Sequence, residues 1–369
     1  MKHIDNLKII HIAPVNTAGV PYAFMDAERR LGHDSRLVTF HRHPNNFPED
    51  ICLDLPFFTF PGITGVKKVL HHNKAPVQTH QFQSRISGYP PTWRPSNSIE
   101  RLLIRLRETS WKYKLTKFID EIDLYSFDIV QLDGGLDFYR DARLVQSLKE
   151  QGKTIVCCYT GSDLRIRGVI PAIDQLADLN ITVEFDHLKL HPHIHHVFFP
   201  FRWEDMPTRN VASSSGKVVI GHAPTNRAAK GSDIIIGQVN SLIHEYPIEL
   251  MLIENMPYQD ALRLKSNCDI FIDQIGNLGY GINSLEALAM GIPTCSCLAP
   301  GFEEMYPDHP FVTVDEMNLK SKLAELIQHK ELRVKKGAYG KKWVTTHHDS
   351  LKVTQKIHKL ITRASTKRS

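Results

Sequence analysis

The sequence predicts an α/β protein of two Rossmann-like domains facing each other across a cleft. Two series of short apolar runs alternate with stretches of helical periodicity, one opening at Leu7 and the other at Val218. Polar, glycine-containing turns follow the apolar runs, where parallel sheets gather ligands. A polar, irregular stretch separates the two series. The expected division is a first domain over 1–200, a linker over 201–217, a second domain over 218–345, and a C-terminal helix with a basic tail over 346–369. At 369 residues the chain is too long for one typical core, and 42% hydrophobic with 23% charged residues excludes a disordered chain.

Net charge is +5, a mild excess that carries no prediction of a nucleic-acid partner. Asp5 and Asn6 interrupt the start and no long apolar stretch follows, so no secretory signal is expected. The greasiest stretch, 51–66, contains Asp54, Pro56 and Pro61 and is too short and too polar for a membrane span. Six cysteines without a C-x-x-C pair fit buried thiols in a reducing compartment. The expected location is cytoplasmic.

Leu7 to Ala13 reads as a buried first strand. The loop 14–21 carries Gly19, a helix runs through Phe24, Ala27 and Leu31 to Gly32, and Leu37 to Phe40 is the next strand. This opening lacks both G-x-G-x-x-G and a P-loop, which argues against a dinucleotide enzyme and an ATPase. After an irregular stretch over 41–95, Ile99, Leu102, Leu103, Leu106, Leu115, Phe118, Ile119 and Ile122 recur at helical spacing. Arg101, Arg105, Arg107, Lys112, Lys114 and Lys117 stand among them with Trp93, Trp111 and Tyr113. A helix of that kind is either a solvated basic face or a reversible contact for anionic membrane over 93–117, which would make the protein peripheral at the inner membrane face.

Strands at Ile129–Leu132 and Thr154–Cys158 follow, the second ending at Thr160-Gly161-Ser162-Asp163. Val183–Asp186 reads as a further strand end. His191, His193, His195 and His196 do not form a metal motif, because Pro192 breaks any helix and no glutamate follows His191; they read as a loop entering a strand at Val197–Pro200. No metal is expected.

In the second series, Val218–His222 is a strand followed by a loop that places Arg227 and Lys230 close together, as cations for a diphosphate. Glu249–Ile253 is the next strand. The stretch 268–294 then reads as strand, glycine turn and helix. Gly276, Gly279 and Gly281 shape the turn, Asn283 and Ser284 are candidate caps, and Glu286 lies in the helix's first turn. A helix N-terminus after such a turn favours an anion, and Glu286 beside it suits a neutral sugar hydroxyl.

These residues resemble the donor-binding signature of retaining glycosyltransferases of the GT-B fold, particularly family 4. The match comprises Gly279-Tyr280-Gly281, Glu286-Ala287, Ala289, Gly291 and Pro293, with Lys230-Gly231 upstream and Gly161-Ser162-Asp163 in the first half. Leu278 stands where the family carries its first acidic residue, with Asp273 the nearest carboxylate upstream, and Thr160 stands where the family has histidine. The resemblance implies a UDP- or GDP-sugar donor, no cofactor, retention of configuration, and a glycan or lipid-linked acceptor. It implies that Gly19, Arg227, Lys230, Gly279, Tyr280, Gly281 and Ile282 hold the diphosphate and sugar, that Glu286 holds the ribose, and that Thr160, Gly161, Ser162 and Asp163 line the acceptor side. Asp163 and Lys230 are the candidates for a catalytic role, and no nucleophile stands out. A sugar-nucleotide epimerase of the same fold and a non-catalytic sugar-nucleotide-binding protein are the alternatives.

Overall fold

The computed structural model describes residues 6–44, 47–56, 90–210, 216–276 and 279–366. Leu278, most of the irregular stretch 41–95 and residues 211–215 of the expected linker lie outside them. The chain forms two compact units, Met1–Phe198 with Val353–Ser369, and Phe199–Lys352.

In the first unit β1 (Lys8–Ala13), β2 (Asp34–Thr39), β3 (Ile51–Cys52), β4 (Ile129–Asp133), β5 (Thr154–Tyr159), β6 (Leu179–Thr182) and β7 (Ile194–His196) form one sheet. Their order is β3-β2-β1-β4-β5-β6-β7 and every pairing is parallel. Such a sheet is covered on both faces, which is why β1 reads as a continuous apolar run. Ile10 and Ile12 join Val130, Leu132, Ile155 and Cys157 in the core of one face, while His11 points to the other. Helix α1 (Val20–Arg30) begins at Gly19, in the left-handed region with φ 74°, has Pro21 in its first turn, and ends before Gly32. The order reverses at β1, which has β2 on one side and β4 on the other, so a crevice opens at the carboxyl ends of β1 and β4.

Helix α2 (Ser98–Glu121) corrects the expectation of a single amphipathic face. Trp111, Leu115 and Phe118 are buried, but Ile99, Leu102 and Leu106 are 70%, 56% and 56% exposed. At about 3.6 residues per turn, Leu106 and Leu115 lie on opposite sides of the helix. The apolar positions therefore form two stripes, and the one that packs includes the buried Glu108, which accepts from the Arg140 N–H and from Arg143. Arg107 lies over the Trp111 ring, 4.6 Å from its centroid.

Helix α3 (Arg143–Glu150) leads into β5. Val183–Asp186, expected to extend a strand, turns away instead. The Thr182 hydroxyl accepts from the Glu184 N–H, and residues 185–189 form a helical turn. The last strand of the sheet is Ile194–His196, not the expected Val197–Pro200.

The second unit contains β8 (Val218–His222), helix α4 (Ser232–Ile243), β9 (Ile248–Leu252), helix α5 (Tyr258–Lys265), β10 (Ile270–Gln274), helix α6 (Ile282–Ala289), β11 (Thr294–Ser296) and β12 (Val312–Thr313). Its sheet is parallel throughout, in the order β12-β11-β10-β8-β9. Helices α7 (Leu319–Gln328) and α8 (Lys330–His347) follow. Gly337 of α8 lies against Gly291, and a Cβ at 337 would overlap the Gly291 carbonyl. Helix α9 (Ser350–Thr366) returns to the first unit, where His358 Nε2 lies 3.4 Å from Glu28. No helix among the described residues is long and apolar enough to cross a membrane.

Candidate functional site

In the second unit the centre of the site is Asp273, the penultimate residue of β10, which is 2% exposed. Its Oδ1 accepts from Lys230 Nζ at 2.6 Å. Its Oδ2 accepts from the Gly281 N–H at 3.1 Å and from the Ser284 hydroxyl at 2.7 Å. Burial alone would push this carboxyl up, but Lys230, Ser284 and Gly281 outweigh it and hold it below its usual value. An internal carboxylate therefore sits at the start of α6, where the sequence suggested an external anion. The Gly281 N–H expected to face the donor is committed to Asp273.

The expected caps are corrected too. Gly281 is the N-cap of α6, and neither Asn283 nor Ser284 caps it. Ser284 serves Asp273, and Asn283 bridges from Lys265 Nζ, at 2.7 Å, to the Ala223 carbonyl, at 3.0 Å. Glu286, in the first turn of α6, was expected to hold the ribose. It is 3% exposed and paired with Lys265, itself 1% exposed, while the Tyr258 hydroxyl also bonds to it. Lys265 additionally lies 4.7 Å from the Phe271 ring centroid. Burying the two charges as a pair offsets part of the desolvation cost that each carries.

Lys230 and Arg227 do lie on one short helical turn, Arg227–Lys230, capped by Asn226 through the Ala229 N–H. Arg227 faces solvent and forks onto Glu254 with contacts of 2.8 and 2.5 Å. Gly231 closes the turn at φ 70°, and a Cβ there would meet Ile275 at 2.5 Å. The buried His222, bonded to the Ile272 carbonyl and the Ser232 hydroxyl at 2.8 Å each, ties the start of α4 to β10. Tyr280 is 7% exposed, with its ring packed among other aromatic side chains. It stacks on Phe311 at 4.5 Å between centroids, and its hydroxyl meets His348 Nε2 at 3.2 Å. Gly279 has φ 84°, and Ile282 is the first residue of α6.

In the first unit a cleft of about 130 Å³ opens at the carboxyl ends of β1, β4 and β5, lined by Val15, Thr17, Asp133, Thr160, Ser162 and Asp163 among others. Gly19 starts α1 beside this loop. Asp163 organises its own turn. One oxygen accepts from the Thr160 N–H and the other from the Gly161 and Leu164 N–H groups, at 2.8, 2.8 and 2.7 Å. That leaves it a positioning group for Thr160 and Gly161. Arg165 anchors the far side on Glu184 and Asp186, at 2.7 and 2.6 Å. Asp133, which the sequence showed only as a strand end, is the carboxylate at the floor of the cleft.

The sequence matches no protein-family model and no curated protein. Solved structures do match. Sucrose-phosphate synthase from Thermosynechococcus elongatus superposes with a TM-score of 0.62 over 98% of this chain and 100% of its own, at 10% identity. The fold is GT-B. Anabaena HepE in complex with UDP-glucose aligns at 0.56 over 97% of this chain and 100% of its own, at 11% identity, and TarM at 0.57 over 96% and 99%, at 8% identity. At such identities the GT-B likeness speaks for architecture, and the chemistry must be argued from this chain's residues.

Proposed function

We propose that the protein is a glycosyltransferase that moves a sugar from a UDP- or GDP-sugar to a glycan or lipid-linked acceptor with retention of configuration. The observation that carries the reading is the meeting, at the carboxyl ends of β8 and β10, of two motif segments far apart in sequence: Lys230 with Asp273, and Asp273 with the start of α6. Whole-chain likeness to GT-B proteins, one of them solved with UDP-glucose, supports it. Lys230 and Arg227 are the cations available to a diphosphate leaving group, and each has a carboxylate partner that holds it in place until the donor arrives. Glu286, paired with Lys265, sets the position of α6 from beneath and reaches the ribose only if that pair opens. The motifs resemble those of family 4, and retention rests on that resemblance alone.

The test is thermal denaturation with UDP-, GDP- and ADP-sugars. A nucleotide-sugar that binds the folded chain raises the melting temperature, by an amount that grows with the logarithm of its concentration above Kd. No shift with any of them at millimolar concentration would remove the donor assignment, and with it the transferase reading.

The exposed stripe Ile99, Leu102 and Leu106, flanked by the exposed Arg101 and Arg105, favours the further reading that α2 meets an anionic membrane surface carrying the acceptor. Co-sedimentation with phosphatidylserine vesicles at low salt and release at high salt is the expected result. Vesicles left unbound at low salt would make the exposed stripe of α2 a solvated face only.

A further inference from the structure

Outside the cleft, the first unit holds three guanidiniums that no carboxylate neutralises. Arg107 stands on α2, Arg140 in the loop between β4 and α3, and Arg167 in the turn after β5. Tryptophan rings fix two of them: Arg140 lies 5.4 Å from the Trp93 ring centroid and Arg107 lies 4.6 Å from that of Trp111. Arg167 donates to the carbonyls of Gly134 and Gly168. Among the described residues none of the three forms an ion pair, and the side chains of Arg107 and Arg140 donate no hydrogen bond. The carboxylates nearby are committed elsewhere. Glu108 accepts from the Arg140 backbone N–H at 2.9 Å and from Arg143 at 2.6 Å. Asp137 accepts from the Tyr139 and Val145 N–H groups at 2.6 and 3.3 Å, and burial raises it to about 7, so it carries only part of a charge at neutral pH. Asp163 serves its own turn. With Glu108 and Arg143 paired, three positive charges face at most two negative ones. Arg140 is pushed down to about 9, by burial first and then by Arg167 and Arg107, as like charges held together require.

We propose that Arg107 and Arg140 bind a phosphate monoester at the edges of their guanidiniums, with Arg167 behind them contributing charge. Neither Arg107 nor Arg140 lines the cleft at Thr160 and Asp163, and the site does not rest on the transferase reading. It is open to a ligand. Both residues are half-buried, and of their side-chain nitrogens only Arg107 Nε and Arg140 Nη1 are shut off from water without a partner, so both Nη atoms of Arg107 and the Nε and Nη2 of Arg140 remain accessible. Shape and charge select the ligand. A guanidinium presents planar, paired N–H donors that match two oxygens of one anion. Here two such edges come from separate elements, and a phosphate monoester has three terminal oxygens to share between them where a carboxylate has two. The uncompensated positive charge favours such an anion over a neutral sugar.

The experiment is calorimetric titration of the full chain, at constant ionic strength in phosphate-free buffer, with methyl phosphate, acetate and methyl glucoside as probes. Methyl phosphate should bind, acetate should bind more weakly, and methyl glucoside should not compete. Arg107→Gln and Arg140→Gln should each weaken methyl phosphate by about tenfold, the loss of one charge-assisted bond. Arg140→Lys keeps the charge but loses the fork; it should weaken binding too, and it provides the same test should the glutamine variants fail to fold. Arg227→Gln, in the second unit, should leave this binding unchanged. Wild-type affinity in all of the Arg107 and Arg140 variants, loss in Arg227→Gln alone, preference for acetate, or no methyl phosphate binding at millimolar concentration would overturn the site. Phosphatidic acid carries the same monoester on a lipid, so vesicles of it distinguish the source. Displacement of methyl phosphate by these and not by phosphatidylcholine vesicles supports the site as one for a lipid headgroup, and binding that neither disturbs supports it as one for a soluble ester.

Discussion

Lys230 Nζ and Asp273 Oδ1 are 2.6 Å apart, and the other oxygen of the same carboxylate holds the Gly281 N–H, so one buried acid joins the cationic loop to the start of α6. The two ends of the pair are not equivalent. The Lys230 side chain is 17% exposed and that of Asp273 is 1% exposed. Lys230→Ala strands a buried anion, whereas Asp273→Asn strands a cation that water can reach. We expect Lys230→Ala to cost about 3 kcal/mol or more and Asp273→Asn less, with the double variant milder than their sum. Urea denaturation of the four proteins measures this, and equal losses in the two single variants would contradict the asymmetry.

Lys230→Ala should also lower turnover of a nucleotide-sugar more than affinity for the free nucleoside, since the cation acts on the departing diphosphate. A parallel loss in both would place Lys230 away from the phosphates.

Glu286→Gln will not be the silent binding-site variant that its sequence position suggests. It leaves Lys265, 1% exposed, without its counter-ion. A loss of about 3–5 kcal/mol is expected, which in a unit of this size lowers the melting temperature by roughly 10 °C. Replacing both partners, as Glu286→Gln with Lys265→Met, should recover much of it. An unchanged melting temperature in the single variant would show that the pair is open in solution.

The pH dependence follows from His11 and Glu28. Burial alone would push the His11 imidazole down, but Glu28 and Asp133 outweigh it and raise it to about 10. The Glu28 carboxyl, which burial alone would raise, is lowered to about 2, chiefly by His11. The imidazolium's contribution is complete below its unfolded value near 6.5 and lost as pH rises through about 10. The carboxylate's is complete above about 4.5 and lost as pH falls towards 2. Both describe one interaction and are not summed. Stability should be greatest between about pH 4.5 and 6.5 as far as this pair is concerned, and His11→Gln should flatten the alkaline decline. Melting curves from pH 4 to 10 check it, and an alkaline limb as steep in His11→Gln as in the wild type would contradict it.

Gly337→Ala tests the packing of α8. Alanine improves an isolated helix by about 1 kcal/mol over glycine, yet here the added methyl would overlap the Gly291 carbonyl, so net destabilisation is expected. A raised melting temperature would show that the helices part freely.

The strand, turn and helix identities were legible because they depend on short-range patterns. Continuous apolar runs mark β1, β4, β5, β8 and β10, Gly32 and Gly231 mark turns, and Lys230-Gly231 with Gly279-Tyr280-Gly281 marks the site's position in the chain. What the sequence left open were the partners that each side chain finds elsewhere in the chain. Periodicity named eight apolar positions between 99 and 122 but not that they form two stripes, of which one is buried. Nothing near Glu286 in sequence announces Lys265, and nothing near Tyr280 announces its aromatic neighbours, which lie beyond residue 300 or before 200.

By itself the sequence determined the two parallel α/β units and the segments at their strand ends, since apolar period and glycine placement act locally and survive any arrangement of the rest. The tertiary structure alone decided the charges. Whether Asp273 is a bystander or the anchor of Lys230, and whether Asp133 is a strand end or the buried neighbour of His11, depends on which groups the sheet order brings within about 3–4 Å and how far it removes them from water, and no local pattern encodes either quantity.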